Sequence, residues 1–349
     1  MDTDCDIECD LSEVAGEEII DNVEFDDMNT DLNICSADSA EVEYESTSAQ
    51  TDKFPMLSLQ SIMFNAAAIL FYTGLSNYTD FTFVLASLGP CAYHLNYLYS
   101  KVDSMTISVE NQLLLTLMKL RRHKTNFELG LHFGISEKTV LNVWITWVNF
   151  MYRQWSERDL VHYFCPSDFK SKFPSTRIII DGTECPIQKP KRPIAQQSTY
   201  STYKNRNTIK ILVGSTPGGL VSYVSPAYGG STSDRQIVER SGLTVMCDPG
   251  DSIMADKGFN VQDIFAPKDV TINMPTFFSK KNRMSGKTVM RDRKISSKRV
   301  HIERIIGLAK TFKILTEPLN SSETKLATEI TTVCFMLCSF KKCIVPTTC

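Results

Sequence analysis

Four carboxylates stand where chemistry is possible. Asp181 ends the β-branched run TRIIID, Asp234 follows the loop YGGSTS, Asp256 closes SIMAD, and Glu303 lies in RVHIERIIGLAK, residues 299–310. On a helical wheel at about 100° per residue, Arg299, Glu303 and Lys310 share one face. Ile302, Ile305, Ile306 and Ala309 fill most of the rest. Each acid alone has an ordinary reading. A strand-end Asp-Gly is a turn former, Ser233 or Asp234 caps a helix, and Arg299–Glu303 is an i,i+4 ion pair worth a few tenths of a kcal/mol. Taken as a set they suggest more. Carboxylates that converge at strand ends repel one another unless a divalent cation neutralises them. Mg²⁺ or Mn²⁺ prefers such oxygen ligands. Two such ions about 3.5–4 Å apart can activate a hydroxyl nucleophile and stabilise the leaving oxygen of a phosphodiester. The expectation is a metal-dependent nuclease holding two ions.

That chemistry needs a cationic surround, and the charge distribution supplies one. Residues 1–53 hold 18 acids and one cation, Lys53, whereas the remaining 296 residues hold 22 acids and 36 Lys/Arg. A basic body with an acidic tail points to a polyanion partner. The stretch Lys280 to Arg299 alone carries nine Lys/Arg and one Asp. The eleven cysteines form no CxxC…CxxC or CxxC…HxxxH pattern, which fits reduced thiols better than a zinc site. The acidic N-terminus is neither a secretory signal nor a transit peptide. The best apolar run, Ile62 to Leu75, is too short to span a bilayer, so no membrane is expected.

The elements that must position the acids read in four parts. Residues 1–53 are an acidic tail too poor in aromatics to offset chain entropy, and disorder is expected there. Residues 54–160 are helical. A helix from Leu57 is ended by Gly74, a second runs from Tyr78 to Leu88, and a third from about Cys91 to Lys101. Ser108 caps a helix to Arg122, Asn126 caps a short helix to His132, and Ser136 caps a long one through Trp155. Short helix, Gly-containing turn and longer helix make the helix-turn-helix pattern. Lys138, Thr139 and Asn142 then stand near the DNA-facing start of the recognition helix, with Arg121, Arg122 and Lys124 clustered beside it. An ordinary αα-hairpin is the competing reading. Trp144, Trp147 and Trp155 read as core rather than as base-stacking platforms. Residues 161–340 switch to strands, with a hairpin about Thr216–Gly219, and then return to helices. The fold class is α/β, an α+β mixed sheet. Residues 341–349 form a C-terminal tail.

In order, IIIDGTE, STYKNRNTIKILVGSTPGG, YGGSTSDRQI, MADKGF and RVHIERIIGLAK resemble the DDE-superfamily endonucleases of the PIF/Harbinger type and related insertion-sequence transposases. The similarity covers about residues 57 to 340, and the upstream helices resemble the transposase helix-turn-helix module. The resemblance implies an RNase H-like fold and metal-dependent cleavage of DNA strands at element ends by water. The freed 3′ hydroxyl would then attack target DNA. Carried over, Asp181, Asp234 and Glu303 match the catalytic triad, and Asp256, in Asp256-Lys257-Gly258-Phe259, a further metal ligand. Arg299 and Lys310 match the Arg–Glu–Lys signature and would contact phosphate or hold Glu303 in place. Relatives often begin with a zinc-binding DNA-recognition domain. Here the acidic tail stands in its place, and Cys5, Cys9 and Cys35 lack a suitable His. End recognition then falls to the helix-turn-helix or to a separate Myb-like protein.

The reading is a transposase-type endonuclease acting as a homo-oligomer on DNA in the nucleus. Lys189–Arg192 and Lys280–Arg283 read as import signals or as DNA-contacting or solvated basic loops. The alternative, of a different class, is a domesticated, catalytically silent nuclear DNA-binding or adaptor protein derived from a transposase.

Overall fold

The computed structural model describes residues 57–102, 106–156, 171–276 and 285–341. The tail expected over residues 1–53 and the cluster Lys280–Arg283 lie outside the described residues. The described residues all fall in one compact unit.

Among the described residues the first helices are α1 (Leu59–Ile62), α2 (Ala66–Thr73), α3 (Tyr78–Ser87), α4 (Val109–Arg122), α5 (Asn126–Phe133) and α6 (Glu137–Ser156). The single helix expected from Leu57 to Gly74 is broken, because the Asn65 side chain accepts from the Ala68 N–H and restarts the chain as α2. Gly74 ends α2 in the left-handed conformation, φ 79°. The helix expected over Cys91–Lys101 is only a 3₁₀ turn, Pro90–Tyr93. The backbone after that turn bonds to α6 instead, with Leu98 N–H donating to Thr146 Oγ1 at 3.3 Å.

The α5–turn–α6 unit forms as its spacing suggests. The short helix is capped one residue earlier than read, by Thr125 in a reciprocal box with Glu128. Gly134, φ 66°, closes it. Ser136 Oγ accepts from Thr139 N–H at 3.1 Å and starts α6. The turn is tight because Gly130 has no side chain: a Cβ there would stand 2.7 Å from the Ile135 carbonyl oxygen. Trp144, Trp147 and Trp155 are fully buried, each worth about 3–5 kcal/mol relative to alanine.

The sheet follows. Its strands are β1 (Thr176–Pro186), β2 (Tyr200–Ser201), β3 (Arg206–Ser215), β4 (Val221–Val224), β5 (Tyr228–Gly229), β6 (Ser252–Met254) and β7 (Thr271–Asn273). The order is β2-β3-β1-β6-β7, with β4 and β5 also on β3. β3 is antiparallel to β1, while β6 is parallel to β1 and β7 to β6. Helices α7 (Pro193–Thr199), α8 (Asp234–Arg240), α9 (Gln262–Phe265), α10 (Gly286–Ala309), α11 (Ser321–Lys325) and α12 (Ala327–Cys338) complete the fold.

Side chains alternate across β1, and this parity divides the core. Ile178 and Ile180 pack with Ile237 and Val238 of α8. Ile179 and Cys185 pack with Ile302 and Ile305 of α10, with α12, and with the buried residues of α1 to α6. One apolar cluster therefore runs from the helix-turn-helix to one face of the sheet. Its seam is aromatic: the Trp155 ring lies 5.2 Å from that of Phe340, and Phe83 packs edge-on to Phe340 at 5.8 Å. Among the described residues no helix is long and apolar enough to cross a membrane.

Candidate functional site

Asp181 is not at a strand end. β1 continues through Gly182 to Pro186, paired Asp181↔Val213 and Gly182↔Leu212 with β3. The Asp-Gly pair that reads as a turn is instead a bare spot in a long strand. Asp181 shares the parity of Ile179 and so faces α10. On the parallel neighbour, Ile179 pairs with Met254. Two residues further along each chain, Asp181 and Asp256 are brought level. Asp256 Oδ1 accepts from its neighbour Lys257 N–H at 2.7 Å, which pins the carboxylate just past β6.

α10 delivers the rest. Its buried positions Ile295, Arg299, Ile302, Ile305, Ile306 and Ala309 seat it on the sheet. Arg299 Nη1 donates to Asp256 Oδ1 at 2.8 Å and Nη2 lies 3.9 Å from Glu303 Oε1. With only 9% of its side chain exposed, against 51% for Asp256 and 57% for Glu303, Arg299 is an internal bridge. Direct contact with phosphate, expected as one of its two roles, does not suit that burial. Its other expected role, holding Glu303 in place, does. Lys310 is exposed at the C-cap of α10.

The electrostatics tie the group together. Burial pushes the Asp181 carboxyl up to about 6. The Arg299 charge and the Gly182 N–H, which donates to Asp181 Oδ1 at 2.9 Å, oppose that rise, while Asp256 and Glu303 add to it. Three carboxylates share one guanidinium.

Asp234 lies elsewhere. It is the first residue of α8, after the Ser233 cap. Its Oδ1 stands 3.2 Å from where a Cβ on Gly182 would be. Gly182 points to the face opposite Asp181. Lys210 Nζ pairs with Asp234 Oδ1 at 2.9 Å, so a lysine neutralises it there. The expectation that Asp234 joins Asp181 and Glu303 in one cluster is corrected by this strand parity. The structure groups Asp181, Asp256 and Glu303. Lys210 had no signal in sequence beyond alternation in β3, which sets it opposite Glu184.

On the helix-turn-helix, Lys138 is exposed at the start of α6, and Thr139 shares a hydroxyl contact with Ser136 at 2.9 Å. Asn142 is only 2% exposed. Its Oδ1 accepts from Tyr99 N–H and its Nδ2 donates to the Ser100 carbonyl, at 3.1 and 2.6 Å. The expectation that Asn142 reads DNA is therefore corrected, since burial and those two bonds occupy it. Two of the cations beside the module have partners within the protein. Arg121 donates to the Thr311 carbonyl, and the Arg122 guanidinium lies 4.0 Å from the Phe71 ring centroid.

A second charged cluster was not foreseen. Lys119 of α4 pairs with Glu323 of α11 at 3.3 Å, and His123 contacts Glu317 and Glu323 at 3.0 and 3.1 Å. The available signal was Lys119 itself, a cation inside the otherwise uncharged run Gln112–Leu120.

Among the described residues, no group of three or more His, Cys, Asp or Glu side chains stands close enough, as it lies, to hold a metal ion. The donor chemistry nonetheless suits a hard divalent cation. Asp181, Asp256 and Glu303 are oxygen donors of like charge, and Asp256 and Glu303 add to the rise that burial imposes on the Asp181 carboxyl.

A mixed sheet with helices and a carboxylate cluster, preceded by a helix-turn-helix, is the arrangement of an RNase H-like nuclease domain with a DNA-binding module. The comparisons agree at this level. Residues 180–339 match the family described as DDE superfamily endonuclease, and residues 106–157 match the helix-turn-helix of DDE superfamily endonuclease. The two matched stretches are thus similar to a DDE-superfamily endonuclease domain and to the helix-turn-helix that accompanies one. No curated protein and no solved structure matches it.

Proposed function

We propose that this protein is a divalent-metal-dependent DNA endonuclease of the transposase type, of PIF/Harbinger affinity, acting on DNA as a homo-oligomer in the nucleus. The observation that carries the reading is the level placement of Asp181 and Asp256 under Glu303, within a segment matching DDE superfamily endonucleases. Asp181, Asp256 and Glu303 would hold Mg²⁺ or Mn²⁺, two ions at full occupancy. When bound, the metal supplies charge neutralisation and Lewis-acid activation for attack of water on a phosphodiester. Arg299 orients Asp256 and Glu303. Asp234, paired with Lys210 beneath Gly182, supports the β1 backbone that carries Asp181. Lys138 and Lys310 are exposed to meet phosphate, and Lys189, Lys191 and Arg192 form an exposed basic cluster suited to import or to DNA. A Myb-like partner would share recognition of the DNA ends.

The test is Mg²⁺- or Mn²⁺-dependent nicking of labelled duplex DNA carrying the gene's own flanking ends. Asp181→Asn, Asp256→Asn and Glu303→Gln should each abolish cleavage. Asp234→Asn should retain measurable metal-dependent cleavage if its role is to support β1. Loss of cleavage in Asp234→Asn, with Asp256→Asn active and both folded, would restore Asp234 to the catalytic set. Tight DNA binding without cleavage by the unmodified chain would favour the catalytically silent DNA-binding protein.

A further inference from the structure

α10 is a 24-residue helix, yet its first buried position is Ile295. The turns before it, Gly286 to Lys294, extend roughly 13 Å at 1.5 Å per residue. They carry Lys287, Arg291, Arg293 and Lys294, all exposed. None of these four meets an acid among the described residues. The nearby acid, Asp292, is turned to Thr276, accepting from its N–H and its hydroxyl, both at 3.1 Å.

This segment is built against its own stability. Lys287, Arg291 and Lys294 stand at i, i+4 and i+7, so like charges neighbour one another along a single stripe, each pair costing a few tenths of a kcal/mol. The first turn has no acid and holds Lys287, opposing the helix macrodipole. An ordinary solvated face would alternate signs. A stripe of one sign at the start of the helix that carries Arg299 and Glu303 is suited to a regular polyanion.

We infer that the exposed first half of α10 is a binding surface for the phosphate backbone of duplex DNA, with Lys287, Arg291 and Lys294 as its contacts. The inference rests on the DNA-cleaving reading above and adds a contact surface outside both the carboxylate cluster and the helix-turn-helix.

Binding of the full chain to labelled duplex DNA, measured by fluorescence anisotropy across a salt series, tests it. Each phosphate neutralised contributes about 0.9 to the slope of log K against log salt. The variant Lys287→Ala/Arg291→Ala/Lys294→Ala should lower that slope by about 2.7 and, with the lines converging near 1 M, weaken binding by about 500-fold at 0.1 M. Alanine favours helix, so circular dichroism should be unchanged. A charge-matched control, Lys101→Ala/Lys313→Ala/Lys325→Ala, should leave the slope nearly intact. Equal slopes for variant and control would overturn the surface while leaving the DNA reading standing. No binding by the unmodified chain at low salt would instead overturn the DNA reading. Loss of binding to duplex RNA alone, with DNA binding unaltered, would assign the stripe to a different partner and remove the inference.

Discussion

Glu323→Gln isolates the contact that locks the helix-turn-helix to the nuclease half. Glu323 sits at the N-terminus of α11 and is 5% exposed at its side chain, against 6% for its partner Lys119. Burial works to raise its carboxyl, yet the His123 hydrogen bond and the Lys119 charge win and hold it down at about 2, from 4.5. At about 1.36 kcal/mol per pKa unit, that difference is worth about 3 kcal/mol at neutral pH. Removing one member of a buried pair costs a similar 3–5 kcal/mol, because Lys119 is left charged without a counter-ion. For a unit of this size the melting temperature should fall by about 5 °C. The pH dependence has two signs. The Glu323 contribution is fully present above 4.5 and is lost as pH falls toward about 2. Burial lowers His123, but its bonds to Glu323 and Glu317 prevail and raise it above 6.5. Its contribution is therefore present below 6.5 and lost as pH rises through the raised value. The network is strongest between these limits. Thermal melts from pH 4 to pH 8 on the unmodified chain, Glu323→Gln, Lys119→Met and the double variant would check this. The double variant should cost less than the sum of the singles. A loss below about 1 kcal/mol with additive singles would refute the coupling, since contacting residues in one network should not add.

Further outcomes follow from the described geometry. Asp181→Asn should raise stability at pH 7 by about 1–3 kcal/mol, because it removes a half-buried carboxylate among like charges. The same carboxyl must ionise to ligate a cation, so Mn²⁺ affinity, read by electron paramagnetic resonance, should rise as pH passes about 6; a flat profile would contradict it. Gly130→Ala should destabilise by about 1–3 kcal/mol through the clash with the Ile135 carbonyl, seen as a lower denaturant midpoint. Asn142→Ala should cost about 1–3 kcal/mol by orphaning the Tyr99 N–H and the Ser100 carbonyl, while Lys138→Ala should weaken DNA binding with no change in melting temperature.

How much of this was written in the chain can be judged residue by residue. The helix-turn-helix was legible because its signals are local: Gly134 at positive φ, Ser136 as a cap, and tryptophans at helical spacing on one face. The hairpin about Thr216–Gly219 was legible for the same reason. Asn65 was legible as polar but not as a cap, since an Asn in an apolar run gives no sign of which conformation wins. The start of α10 was hidden because a basic stretch reads as a loop; the helix continues thirteen residues upstream of Arg299, to Gly286. The largest error concerns the acids. Order along the chain cannot say which face of β1 a later carboxylate reaches, and Asp234 and Asp256 are separated by that parity alone. The Lys119–Glu323 contact joins residues about two hundred positions apart, and no pattern within either segment predicts the other.

The continuous apolar cluster beneath Trp155 and Phe340 has a geometric corollary. Helix α6 and the carboxylates do not hang on a tether; they are two marks on one packed gauge. On the proposed DNA-cleaving reading, a cut would fall at a set number of base pairs from the bases that α6 meets. Inserting about five base pairs between them, half a turn of B-DNA, would rotate the scissile phosphate to the far side of the duplex, where a single copy of the chain has no way to follow it.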